Sequence, residues 1–181
     1  VDQEIYNGGK AGYTTSGIKG IRDRSTYTDI NTVNASSGEI TVSMILQAKK
    51  AIKSDNFAEG GTHLIINPDV EYKLMGLADS NGRPLFSSTD TNNPLYSNGV
   101  IGRLLGLTVV VTPAVPTGSN VADAIILTKG VTGYYGMRRE FRFNKEYQIE
   151  TDNYKVQTNM RMAFRVAYQK SAAIIYDIKT N

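Results

Sequence analysis

The residues able to carry chemistry are few. His63 is the only histidine among 181 residues, and there is no cysteine, which removes disulfides, thiol nucleophiles and thiolate metal sites together. The histidine sits in the apolar run "HLII", where a packed, hydrogen-bonded ring is the ordinary outcome. A Ser–His–Asp arrangement is defined by geometry, and one candidate base cannot establish it. Paired carboxylates would suit glycoside hydrolysis, but Asp69, Glu71, Asp79, Asp123 and Glu140 all read as helix-end or surface acids. The glycines of Gly99-Val100-Ile101-Gly102 and Gly102–Gly106 lack the preceding strand, following helix and lysine of a phosphate loop; they read as turn glycines feeding the next strand. The expectation is no catalytic residue, no cofactor, no metal and no small-molecule substrate.

Arginines are the remaining functional group. Arg138, Arg139, Arg142, Arg161 and Arg165 cluster late in the chain. Two readings stand: a solvated sheet face, or a subunit interface, since arginine forms bidentate carboxylate contacts and is enriched in interface cores. Binding of single-stranded nucleic acid would want aromatics interleaved on the arginine face. Phe164 and Tyr168 fall on the opposite face from Arg161 and Arg165.

Elements must position these groups. Thr41 can cap a helix in which Val42, Ile45, Leu46, Lys49, Ile52 and Lys53 share one side, the lysines at its margin. "THLIIN" is a short strand, followed by Asn67 as cap and Pro68 at the first helical position. Asp69 and Glu71 lie at the positive end of that helix, and Val70, Leu74, Met75, Leu77 and Ala78 form its apolar stripe. "DSNGRPLF" is a turn and residues 89–99 a surface loop near an exposed tip. "GLTVVV", "DAIILTK" and "AAIIYDI" are buried strands, and Phe141–Ile149 alternates as a half-exposed strand or strand pair. From Lys155 to Gln169, Val156, Thr158, Met160, Met162, Phe164, Val166 and Tyr168 alternate with polar or small residues. Such a strand spans ~50 Å, longer than the ~40 Å diameter of a compact globule this size. Its apolar face is expected to pack on a helix or sheet of the same chain.

Composition is that of a globular protein, 40% hydrophobic and 20% charged, enough for one large domain or two small ones. No apolar run approaches the ~20 residues of a membrane span, and "VDQEIYNGGK" lacks a basic end and apolar centre, so neither secretion nor a membrane is expected. The net charge of +3 permits a nucleic-acid partner without arguing for one. The opening residues look like a helix tail stopped by Gly8-Gly9, so the chain is expected to be a piece of a longer one.

In order, these pieces resemble the major capsid protein of tailed bacteriophages, a shell fold shared with encapsulins. "YNGGKAGYTTSGI" looks like a glycine loop after a spine helix. "HLIINPDVEYKLMGLADSNGRPLF" matches in its Asn-Pro turn and "GRPL" turn. "GRLLGLTVVVTPAVP" is similar to the family's glycine- and proline-marked segment, with Thr108 where proline is usual, and "TDNYKVQTNMRMAFRVAYQKSAAIIYDI" resembles the long and closing strands. The resemblance implies an α+β fold: an axial domain with a mixed or antiparallel sheet flanked by helices, and a peripheral domain with a long strand. It implies peripheral residues 1–61 (spine-helix end, glycine loop, helix 41–57), axial residues 62–150, a peripheral strand at 151–170 and a closing strand at 171–181. The resemblance further implies that the family's N-terminal arm and extended loop are not among these 181 residues. The implied function is a non-enzymatic subunit of an icosahedral shell, assembled in the host cytoplasm as hexamers and pentamers of itself, with double-stranded DNA as an indirect partner. An encapsulin-like compartment enclosing cargo enzyme is the alternative, and an α/β hydrolase-type enzyme the weaker one.

Overall fold

A computed structural model describes residues 20–77 and 100–180, apart from 24, 58, 116 and 119. The glycine loop, the "GRPL" turn and the loop at 89–99 lie outside the described residues. In chain order the elements are β1 (Asn31–Asn34), α1 (Val42–Ser54), β2 (His63–Ile66), α2 (Pro68–Met75), β3 (Val100–Leu104), β4 (Leu107–Val111), β5 (Val121–Leu127), β6 (Gly133–Gln148), β7 (Asn153–Val166) and β8 (Ala172–Lys179). They make a six-stranded mixed sheet, order β1-β8-β5-β2-β4-β3, and a separate two-stranded sheet of β6 and β7. Pairs β1–β8 and β2–β4 are parallel; the other neighbours are antiparallel.

Side-chain alternation splits the six-stranded sheet into two faces. Leu64, Ile66, Val109, Ala124, Ile126, Ala173 and Ile175 join Ile45, Ala48 and Ile52 of α1 and Val70 and Leu74 of α2 in one cluster. Ile65, Ile125, Ala172 and Ile174 point the other way, to Ile21, Tyr27, Ile30, Val115 and Val166. Both helices therefore cover one face, and the 20–30 segment covers the other. Across the expected divisions at 61/62 and 150/151, α1 shares a core with β2 and β6 and β7 are one hairpin.

Thr41 accepts a hydrogen bond from Met44 N and caps α1. The buried stripe of α1 is Ile45, Ala48 and Ile52, not the wider set expected; Leu46 is half-exposed. Leu46 lies about 100° around the helix from Ile45, away from Ala48, and turns outward. Asn67 caps α2 by accepting from Asp69 N at 3.0 Å, and its Nδ2 donates to Val115 O at 2.5 Å. Of the expected stripe on α2, Val70 and Leu74 are buried and Met75 is half-exposed.

The glycines at 102–106 do more than turn. Residues 100–104 are themselves a strand, joined to β4 by Leu105 and Gly106, both at positive φ (52° and 79°), the signature of a two-residue type I′ hairpin.

Gly61 enters β2 beneath α1 at φ +89°, and a Cβ there would stand 2.4 Å from Ile126 Cγ2. Left-handed strain and overpacking each cost about 1–3 kcal/mol, so Gly61→Ala should lower the unfolding free energy by several kcal/mol. Gly118→Ala, with nothing within 4 Å of the added atom, should be close to neutral. Urea unfolding of the two variants checks the contrast.

Candidate assembly surface

The β6–β7 hairpin holds all five predicted arginines and leaves the body after a sealed root. There Thr128 Oγ1 donates to Ser171 O at 3.1 Å, Ser171 Oγ to Thr132 Oγ1 at 2.8 Å, and Ala167 N to Thr132 O at 2.9 Å. Val166 N donates to Tyr27 Oη at 3.4 Å. Gly133 lets the Phe164 ring close on the root, since a Cβ there would lie 2.9 Å from it. Beyond this point almost every residue of both strands is exposed.

Cross-strand partners share a face, so register assigns the two sides. Tyr135↔Phe164, Met137↔Met162, Phe143↔Thr158, Lys145↔Val156 and Tyr147↔Tyr154 define an apolar side. Tyr134↔Arg165, Arg139↔Arg161, Arg142↔Asn159 and Glu146↔Lys155 define a polar one. Register shifts between Met137 and Arg139 and again between Arg139 and Arg142 mark two bulges. Each bulge adds one residue to β6 and reverses its parity. Arg139 is thereby carried onto the polar side with Arg142, Arg161 and Arg165, while the aromatic residues on both flanks stay on the apolar side. Arg138 is the inserted residue, beside a groove of about 640 Å³ lined by Met137, Met160, Arg161 and Met162.

Arg139 and Arg161 stand directly opposite each other, and both are exposed. Like charges in that position destabilise a ribbon, and among the described residues no carboxylate forms an ion pair with any of the five arginines.

The apolar side overturns one expectation. Val156 and Met160 are 52% and 40% exposed, not packed within the chain; only Val166, with partly buried Met162 and Phe164, is covered. β6 lies beside β7 and adds Tyr135, Met137, Phe141, Phe143 and Tyr147 to the same exposed side instead of covering it. Phe141 and Phe143 pack at 5.9 Å between centroids, and Tyr147 and Tyr154 at 5.1 Å. Tyr168 lies beyond the strand and meets Phe57 edge-on at 6.3 Å. The signal missed in the sequence was Arg138-Arg139-Glu140, three polar residues that interrupt alternation and mark the bulged stretch.

His63 is partly buried, with Nδ1 2.8 Å from Thr62 Oγ1, itself an acceptor from Lys129 N. Burial, and then the charge of Lys129, lower the ring's pKa. Among the described residues no three metal-ligating side chains converge.

The described residues form a mixed sheet under two helices with a long, exposed hairpin. A sequence profile of the phage capsid family matches residues 1–177, and the chain belongs to that family. The structure is similar to the capsid of an empty GTA particle (TM-score 0.72, 13% identity, covering 97% of this chain and 60% of that one). It is also similar to the SrpI encapsulin of Synechococcus elongatus (0.64, 10%, 99% and 60%) and to a chain from Gordonia phage Cozz (0.61, 15%, 97% and 57%). At these identities the likeness is one of fold, and the chain spans about 60% of the relatives' length. No curated protein sequence matches it significantly.

The His63 environment has a pH consequence. The folded pKa lies below the ordinary 6.5, so the unfolded chain binds more protons between the two values. The His63 contribution to stability is whole above pH 6.5 and is lost as pH falls through that window. His63→Gln should remove this share. In urea unfolding at pH 7.5 and pH 5, wild type should lose more stability than the variant; equal losses would place the titration elsewhere.

Proposed function

We propose that the chain is a structural subunit of an icosahedral shell, assembled with copies of itself in hexamers and pentamers around double-stranded DNA, and that it performs no catalysis. One observation carries the reading beyond the fold: a two-stranded ribbon with bare aromatic and methionine side chains on one side and opposed arginines on the other. Exposed apolar patches of this extent mark interaction sites, and an isolated hairpin is marginal in water. A neighbouring subunit would cover the apolar side and supply acceptors to the arginines. Met137, Met160 and Met162 are adaptable side chains, suited to neighbours in slightly different settings.

In this reading the six-stranded body is the axial part and the ribbon the peripheral part, and the virion is the place of residence after assembly in the host cytoplasm. Arg138, Arg139, Arg142, Arg161 and Arg165 are interface residues. The likeness to an encapsulin supports a second reading, the same shell enclosing cargo enzyme instead of a genome; packaged nucleic acid or protein in purified particles separates the two.

Arg161→Glu with Arg165→Glu should leave the melting temperature of Val1–Asn181 within a few degrees of wild type, because surface substitutions cost within about 0.5 kcal/mol. The same change in the expressed gene product should reduce particle yield at least tenfold by electron microscopy and sedimentation. Unchanged yield would reduce the arginine side to a solvated face.

A further inference from the structure

We infer that the ridge of Lys49, Lys50 and Lys53 on α1 is a docking surface for the phosphate backbone of duplex DNA; the choice of occupant rests on the shell reading above. The three lysines lie within about one helical turn, with Leu46 and Ser54 beside them, around an open groove of about 440 Å³. The helix sequence VSMILQAKKAIKS holds no acid, so no pair along the helix neutralises them.

Two of the lysines are pre-positioned. Lys49 Nζ donates to Leu105 O at 2.5 Å, which pins its stem across to the β3–β4 turn. The Lys53 stem runs over Gly60, where a Cβ would stand 2.8 Å from its Cε. Glycine at this positive-φ position leaves a track for the methylenes and keeps the charged head in water.

The charges crowd one another. Burial, and then the charge of Lys53, lower the proton affinity of the Lys49 amine. Elsewhere on the body, Lys73 is ion-paired with Glu39 and Lys170 with Asp55, but Lys50 and Lys53 have no ion-pair partner among the described residues. Asp55, the acid closest in sequence, is engaged by Asn31 and Lys170.

The chemistry favours a polyanion over an acidic patch on a second copy. Lysines are compact point charges without the planar fork that recognises a fixed carboxylate. They suit a contact that carries no sequence information. A duplex presents one negative charge per ~1.7 Å of axis, so a ridge about one turn long meets phosphates in any register.

The test is fluorescence anisotropy of a short DNA duplex with Val1–Asn181 across a salt series. Lys50→Glu with Lys53→Glu should weaken binding at least tenfold at low salt and reduce the slope of log affinity against log salt by roughly 2. Arg161→Glu with Arg165→Glu, on the distant hairpin, should leave it nearly unchanged. Both lysines are exposed, so folding is expected to survive; Lys50→Gln with Lys53→Gln repeats the measurement if the reversal does not fold. Equal binding by wild type and the ridge variants overturns the proposal, as does an equal loss in the hairpin variant. Loss of self-association with DNA binding intact also overturns it, assigning the ridge to a second copy. Particle formation by the expressed gene product is scored separately. Particles that form while ridge variants bind duplex normally sink the ridge alone; no particles in any background, with DNA binding lost in the ridge variants, sinks the shell reading alone.

Discussion

A two-stranded ribbon is one layer thick, and the rest of this molecule follows from that limit. β6 and β7 pair along much of their 16 and 14 residues, each satisfying only the inward-facing half of the other's backbone groups, and neither can cover the side chains of the other. The six-stranded sheet meets the same requirement with helices on one face and the 20–30 segment on the second. Ile126 is accordingly fully buried and Phe143 is 66% exposed. Fully burying a Phe or Met side chain contributes about 1.5–3 kcal/mol. The aromatic and methionine side chains left on the ribbon thus represent on the order of 10 kcal/mol of unrealised hydrophobic stabilisation, before the costs of association.

Where the ribbon meets the body, polar contacts join the apolar packing of Val166 and Phe164. Arg22 and Asp123 form a buried ion pair, with Nε to Oδ2 at 2.7 Å. Asp123 follows strand alternation: Ala122 and Ala124 face the helices while Asp123 turns with Ile125 to the second face, and the extra residue of the β5–β8 register shift lies in β8, near Asp177 at φ 59°. Removing one member of such a pair costs about 3–5 kcal/mol, because the other is left charged in a buried site. The pair holds the 20–30 segment on the second face, and the same segment carries Tyr27, whose hydroxyl receives Val166 N. The cover of the second face and the root of the ribbon are therefore one construction. The Thr128–Thr132–Ser171 hydroxyls complete it.

What could be read from the sequence was whatever local chemistry decides. Thr41 and Asn67 act as caps because a side-chain oxygen beside orphan amides has few alternatives. "HLII" and "AAIIYDI" became strands of the buried sheet. Long alternation from Lys155 gave away a strand too long for a globule. Pairing was harder to see, because the partner of β7 depends on bulges that shift β6 by single residues. Helical spacing puts Leu46 on one broad side of α1 with Ile45 and Ile52, whereas the row that faces the sheet is centred on Ile45, Ala48 and Ile52 and leaves it outside. The arginines stand as a cluster in the sequence, but the opposition of Arg139 to Arg161 is a property of register that no spacing along one strand contains.

Among the described residues, polar groups of the interior serve shape. Asn67 caps α2 and ties it to Val115, Thr62 orients His63 and receives Lys129 N, and Ser171 closes the ribbon's root. Among the described residues no buried side-chain nitrogen or oxygen lacks a hydrogen-bond partner. Here the uncommitted groups are outside: opposed arginines and bare aromatics on the ribbon, and unpaired lysines on α1. A chain whose inside is satisfied and whose outside is not has left its remaining interactions to other molecules, and rigid capping and hydroxyl locks keep those outer groups at fixed positions when the partners arrive.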